Sequence, residues 1–346
     1  MENGQQTGSV EKVLGNNMNN PYLWSVSYYD SRGRVVQQSR RGTHGSWVRT
    51  NTGYSFTGRP TLSRTIYQDG VSTMAERYTY TYDAWDRPLT VTHALSNRCA
   101  VPTGEYTYAV TKKLHDYEYD NAGRLVLDKR NDATSLKTHY TYNVRSALTG
   151  IGAGWDSTYQ SYGSTFLENL SYCWGGNVSA KDWMCGSDGV TRTYSYSYDG
   201  LSRLAQAAYT DNLGGNGTYN RAYTYDLHGN ILSLTSPSGT VTATYSGNQR
   251  SGSYTYDGNG NMTSDSETGL TGMSYNVLNL LSGYNTATNS HVVIGYSALG
   301  EKLREREYES DVVVREKEWC GNLEYNGLVM YPAVDRRRIC GYNHHE

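Results

Sequence analysis

Tyr119-Asp120-Asn121-Ala122-Gly123-Arg124-Leu125-Val126-Leu127 holds, in one short run, the end of a strand, a turn and the start of the next strand. Asp bonds its own backbone two residues on, and Gly supplies the positive φ that closes a turn. The phrase returns. It reads Tyr29-Asp30-Ser31-Arg32-Gly33-Arg34 near the start of the chain. Later it reads Tyr225-Asp226-Leu227-His228-Gly229-Asn230 and Tyr256-Asp257-Gly258-Asn259-Gly260-Asn261. Tyr198-Asp199-Gly200-Leu201-Ser202-Arg203 keeps the Tyr, the Asp and the Arg. A unit repeated this often decides the architecture before any single residue does. It favours an extended or enclosing surface over a compact enzyme.

With Asn, Ser or Cys allowed at the Asp position there are eleven registers, at Tyr29, Tyr54, Tyr82, Tyr119, Tyr142, Tyr172, Tyr198, Tyr225, Tyr256, Tyr275 and Tyr296. Their spacings run from 19 to 37 residues, with a mean of about 27, inside the range of repeat architectures. The uneven spacing predicts loops of variable length between similar units. Some copies are degraded. Tyr82-Asp83-Ala84-Trp85-Asp86-Arg87 replaces the Gly with Asp, and Tyr142-Asn143-Val144-Arg145-Ser146-Ala147 lacks both Gly and Arg. Tyr172-Cys173-Trp174-Gly175-Gly176-Asn177 is the weakest copy that keeps a Gly.

The residues before each turn alternate. Tyr78-Thr79-Tyr80-Thr81-Tyr82 and Tyr194-Ser195-Tyr196-Ser197-Tyr198 place every Tyr on one face of a strand and every Ser or Thr on the other. Each unit therefore reads as a β-hairpin with a turn of three to five residues. Most of the tyrosines serve as ordinary packing aromatics, since aromatic cross-strand pairs stabilise sheets. Yet there are 34 Tyr and only 2 Phe. A dry core would use Phe freely, so hydroxyls that reach water or a polar cavity are expected, on a sheet wet on both sides.

Charged residues make up 18% of the chain and Gly numbers 37, which suits an all-β protein rich in turns. The net charge of −2 gives no reason to expect nucleic acid. Asp335-Arg336-Arg337-Arg338 is too short to change that. The five cysteines, Cys99, Cys173, Cys185, Cys320 and Cys340, form no C-x-x-C pair, which argues against a zinc ribbon. Cys173 and Cys185 could pair across a hairpin only if a demanding geometry were met. His344-His345-Glu346 lacks the spacing of a zinc protease motif and reads as a frayed end. No metal or cofactor is called for. Met1-Glu2-Asn3-Gly4 leads into no apolar run, so no signal peptide is read, and no window resembles a membrane span.

The recurring Tyr-Asp with Gly-Arg or Gly-Asn after the turn closely resembles the YD repeat of RHS proteins. That family includes bacterial polymorphic toxins, the C component of insecticidal toxin complexes and the teneurins. The resemblance covers roughly residues 20–330. Val26-Ser27-Tyr28-Tyr29-Asp30 and the residues after it look like RHS chains of Bacteroidetes in particular, and so does Tyr172-Cys173-Trp174-Gly175-Gly176-Asn177, which restores that weak register. The resemblance implies antiparallel hairpins spiralling into a hollow shell that in toxins encloses a C-terminal effector. The family's self-cleaving Asp-Pro-x-Gly segment is absent, so no residue inherits that role. Cys320-Gly321-Asn322-Leu323-Glu324-Tyr325-Asn326-Gly327 still looks like the family, whereas Tyr331-Pro332-Ala333-Val334 onward does not. A frameshift near there is expected to produce such an ending. The expected organisation is an irregular lead-in over 1–20, the repeats over 21–330 and a tail over 331–346.

Each hairpin adds two strands, so eleven units give a ribbon of roughly 105 Å, which would wrap once into a ring about 35 Å across. Such a ring could girdle a 100-residue effector, whose radius of gyration is about 13 Å, without sealing it. Three functions compete. The first is a structural shell segment that encloses or presents an effector domain, completed by further shell repeats outside this chain. It would work secreted or at the cell surface as part of a longer protein, and in the cytoplasm if expressed as written. The second is a glycan- or partner-binding surface with Trp85, Trp174 and Trp319 as stacking platforms, against the plainer reading that turn tryptophans plug the sheet ends. The third is an enzyme, for which no nucleophile with a partnered base, phosphate loop or metal cluster appears. Asp30, Asp83, Asp120, Asp199, Asp226 and Asp257 recur because the turn needs them. A catalytic pair would not be copied six times.

Overall fold

The computed structural model describes residues 4–14, 22–41, 46–68, 72–96, 99–100, 106–133, 135–156, 161–186, 188–320, 323–326 and 329–332. Among these residues every helix-free stretch of regular structure is strand, thirty strands in all. Each strand pairs antiparallel with the next in sequence through most of the chain, as in Tyr22–Tyr29 with Val35–Arg41 and Trp47–Tyr54 with Pro60–Gln68. The one detour is Cys99–Ala100, which pairs back onto Ser72–Tyr82 while Pro88–Ser96 pairs directly with Tyr108–Tyr119. One sheet holds 19 strands, a second holds seven, and two small two-strand ladders lie between them in sequence. The expected all-β ribbon of hairpins is what forms.

The alternation read from the sequence holds in the middle of the chain. In Thr191–Tyr198 the tyrosines are half-buried while Ser195 and Ser197 are exposed. Twelve apolar side chains are buried among the described residues, too few for a second layer beneath the sheet. The first hairpin inverts the pattern. Tyr22, Trp24, Val26 and Tyr28 stand exposed on one face of Tyr22–Tyr29, and Val10 sits opposite Trp24 beside them.

The lead-in, expected to be irregular, contains the strand Gly8–Lys12, which pairs with Tyr22–Val26. Its alternation Gly8-Ser9-Val10-Glu11-Lys12 is too short to identify a strand before its partner is known. The residues that follow it close the ribbon. Leu14 N–H donates to the Tyr296 carbonyl at 2.7 Å, and Tyr296 N–H donates to the Leu14 carbonyl at 3.1 Å. Arg40 pairs with Glu301 at 3.6 Å. Leu14 and Arg40 lie at the ends of their strands away from the Asp30–Arg34 turn, while Tyr296 and Glu301 flank a turn. After one circuit the turn edge of the last units therefore meets the opposite edge of the first. The ribbon is a spiral whose offset is about one strand length, roughly 25 Å. Val13, Ser290, Val292, Ile294, Ser297 and Leu303 are buried where the two ends meet.

Cys173 and Cys185 do not pair. Both are free and exposed. Cys173 opens a turn, whereas Cys185 ends the following strand opposite Phe166, so a whole strand separates them. The Asp335–Arg338 run, Cys340 and the tail from residue 333 lie outside the described residues. Among the described residues no helix is long and apolar enough to cross a membrane.

Candidate functional site: the turn rim

All eleven registers form the same turn. In the first, Asp30 N–H donates to the Arg34 carbonyl at 2.9 Å and Gly33 N–H to the Asp30 carbonyl at 3.0 Å. The ladder slips by one residue there, pairing Tyr29 with Val35, the signature of a glycine bulge. The same two bonds and the same slip recur down to Ser297 and Gly300. The fourth turn residue lies at positive φ in every copy. It is Gly at seven positions, and Asp86, Ser146, Ser202 and Asn279 at the other four. The copies that look degraded in sequence are intact in space.

The Asp side chain organises the turn. Asp120 Oδ1 accepts from the N–H groups of Ala122 and Arg124, each at 2.9 Å, and its Oδ2 accepts from Arg124 Nε at 2.7 Å. Asp30, Asp83 and Asp199 repeat that arrangement with Arg34, Arg87 and Arg203. Asp226 and Asp257 do so with Asn230 and Asn261 in place of Arg. This geometry explains why Arg or Asn follows the Gly: either reaches the free carboxylate oxygen. The Arg124 backbone N–H, joined by its side chain, holds the Asp120 carboxyl below the usual carboxylate range against the opposing desolvation. Asp30 and Asp199 are lowered in the same way by Arg34 and Arg203.

Each turn is also tied to its neighbours. The Arg34 guanidinium lies 4.7 Å from the ring centre of Tyr54, one unit on, and donates to the Ser55 carbonyl. Arg87 covers Tyr119, Arg124 covers Tyr142 and Arg203 covers Tyr225 in the same sense. The tyrosine hydroxyl reaches the other way. Tyr54 donates to the Val35 carbonyl, Tyr82 to Pro60, Tyr119 to Pro88 and Tyr225 to Leu204. From Tyr54 onward the acceptor is the residue paired with the preceding Tyr, whereas Tyr29, the first register, donates to the Gln6 carbonyl. All eleven hydroxyls end on a backbone carbonyl, at 2.6–3.1 Å. The expectation that hydroxyls would reach water is corrected for these residues: they clip one hairpin to the one before. Phe cannot do this, and that accounts for the Tyr excess better than a wet cavity does.

One clip reveals a unit that the sequence count missed. Tyr256 donates to the Arg250 carbonyl, and Arg250 pairs with Tyr245 across the two-residue turn Gly247-Asn248. Tyr245-Ser246 is a twelfth register with a shortened turn. The 31-residue gap between Tyr225 and Tyr256 was its only trace in the sequence.

The tryptophans divide. Trp85 and Trp174 stand at turn tips, 78% and 88% exposed. Arg87 covers one face of Trp85, and Arg145 covers one face of Trp174. Trp319 lies in the strand Val312–Cys320, half-buried beneath Lys302, and does not join the rim. Trp85 and Trp174 lie three units apart, roughly 30 Å along the ribbon, so they cannot grip one small ligand together.

A polar cluster away from the rim gave no sequence signal. Buried Glu76 accepts from the Tyr67 hydroxyl at 2.7 Å and lies 3.6 Å from His93. Buried Asp128 pairs with His115 at 3.0 Å. Burial pushes the nearby Tyr78 and Tyr117 phenols up to about 12. Glu76 and Asp128 thus have partners inside the sheet, whereas His93 Nε2 is buried without a hydrogen bond.

The comparisons agree with this geometry. The RHS Repeat family model matches residues 225–271, which span Tyr225, the hidden Tyr245 unit and Tyr256. A search of curated proteins finds no match. Among solved structures, the crystal structure of TcdB2-TccC3-Cdc42 superposes with a TM-score of 0.54 at 14% identity, over 90% of this chain and 20% of that one. The crystal structure of TcdB2-TccC3 does so with a TM-score of 0.53, also at 14% identity and over the same shares. The chain thus spans about a fifth of the length of the structures it matches, and at this identity the likeness speaks to the fold. Residues 225–271 thus carry an RHS repeat, and the same turns and clips run through the rest of the described ribbon.

Proposed function

We propose that the chain is one circuit of a structural shell, a curved wall that encloses or presents another domain and performs no chemistry itself. The observation that carries this reading is the return of the ribbon on itself through Leu14 and Tyr296. A wall that curves through a full circuit and is clipped unit to unit is built to hold a shape around a space. Every recurring Asp is committed to its turn, which leaves none of them to serve as an acid or base. The reading places the shell outside the cell or on its surface, within a longer protein that supplies the effector and further repeats. The fivefold greater length of the toxin-complex structures supports the longer protein.

The test attaches a protease-sensitive passenger domain after residue 346. Enclosure predicts slower cleavage of the passenger than on an unrelated carrier, and loss of that protection when residues 1–14 are removed. Equal cleavage on both carriers would contradict enclosure.

A further inference from the structure

Three arginines near the start of the ribbon stand outside its pairing rules. Arg64 lies directly opposite Asn51 on one side and Arg77 on the other. Arg49 is two residues before Asn51 on the same strand, so all three side chains share the face turned away from Tyr78 and Tyr80. Like charges directly opposite one another destabilise a sheet. Elsewhere a strand cation meets a carboxylate, as Lys181 meets Glu168 and Arg130 meets Asp128. Among the described residues none of these three is paired with one, and Glu76, next to Arg77 in sequence, is turned to the other face toward Tyr67 and His93. Arg64 Nε is buried without a hydrogen bond. The Arg77 guanidinium lies over the ring of Tyr108, 4.3 Å from its centre. Half-burying two facing guanidiniums without a counter-charge costs stability, and a charge that arrives with a ligand would offset it. Beside them is a hollow of about 170 Å³, lined by Trp47, Arg49, Gln68, Thr73 and Tyr106 among others. That is several times the share of one water, about 30 Å³.

We propose that this face binds a phosphate or sulfate ester, with the tetrahedral anion on Arg49, Arg64 and Arg77 and an attached ring in the hollow against Trp47 and Tyr106. A guanidinium fork meets the oxygens of such an anion two at a time. The anion gives Arg64 Nε its missing acceptor and cancels the repulsion between Arg64 and Arg77. Arg49 joins the two halves of the site. It lines the hollow, and it stands diagonal to Arg64, a separation of about 7–8 Å that long side chains span. Aromatic walls with a few polar groups, here Gln68 and Thr73, are what small-molecule sites use to seat a ring. Arg64 and Arg77 stand mid-strand, away from both edges of the ribbon, so the site does not depend on how further circuits stack. The inference goes beyond the shell reading and needs no cargo.

Calorimetric titration of the full chain in chloride buffer tests it, with phenyl phosphate, phenyl sulfate and inorganic phosphate as separate probes. A single site is expected, tighter for the better-matched phenyl ester than for inorganic phosphate. The comparison of the two phenyl esters says which anion the site prefers. Arg64→Gln should weaken phenyl ester binding at least about tenfold. Trp47→Ala should remove the advantage of the ring and leave inorganic phosphate bound as before. Arg64→Gln also dissolves the like-charge pair, so without ligand it should melt no lower than the native chain, which shows that the fold survives. The ligand should raise the melting midpoint of the native chain and not that of the variant. No binding of any probe at millimolar concentration would overturn the proposal. So would an Arg64→Gln chain that binds as tightly as the native one, or a ring advantage that survives Trp47→Ala.

Discussion

The tyrosine ribbon and the charged hairpin Lys302–Glu309 with Val312–Cys320 are both antiparallel sheet, yet they are held in different ways. In the ribbon the coupling runs from hairpin to hairpin: each Tyr hydroxyl reaches back one unit, and each Arg reaches forward. In the charged hairpin it runs across one strand pair. Arg306 meets Glu316 at 2.5 Å, Arg315 meets Glu307 at 2.9 Å, and buried Arg304 lies 3.9 Å from buried Glu318. The turns differ as well. Ser310 and Asp311 both take positive φ in a tight two-residue connection, where the ribbon uses a bulged turn. A ribbon that must stay curved over many units needs forces between units. A hairpin near the end of the sheet needs only to hold itself.

The sharpest way to break the comparison is Glu318→Ala. It removes a buried carboxylate facing buried Arg304 and should cost about 3–5 kcal/mol in chemical denaturation, far more than any single turn. A loss below about 1 kcal/mol would mean that the ladder is solvated and the contrast is false. Tyr225→Phe removes one clip and leaves the ring, so about 1 kcal/mol is expected. Hydrogen exchange should quicken around Leu204, the acceptor, while the charged hairpin stays as protected as before. Uniform quickening would deny that the clip is local. Ser202→Gly relieves a side chain held at positive φ and should raise stability by roughly 0.5–1 kcal/mol, measured as a higher denaturation midpoint. The smallest effect per turn comes from acid. The carboxyls of Asp30, Asp120 and Asp199 are lowered in the folded chain. Their contribution is therefore complete above the ordinary value near pH 4 and is lost as pH falls through the folded value. Asp199→Asn should flatten the acid limb of a stability–pH curve slightly. An unchanged limb would count against the turn carboxylates.

Much of the ribbon was legible because its turn is written in side chains. Asp120 and Gly123 each have a local reason to be where they are, so eleven copies could be found from the sequence, even Tyr172. What the tyrosine does was hidden, because its partner is a backbone carbonyl some 13 to 31 residues away in most copies, and any residue can offer a carbonyl. Ser146 and Asp86 looked like damage because positive φ favours Gly, yet the bonds around the turn hold them there. The Tyr245 unit escaped notice because its turn is too short for the Asp-x-x-Gly phrase. The arginine face was out of reach for another reason. Arg49, Arg64 and Arg77 are ordinary strand cations until the registers bring them onto neighbouring strands and one face.

The central claim is that the ribbon returns on itself after one circuit. Spin labels at positions 40 and 301, in a chain with its native cysteines replaced by Ser, measure that return directly. The account predicts one narrow distance well inside the ~35 Å width of the ring. A broad distribution reaching toward the ~100 Å contour of an uncoiled ribbon would contradict it.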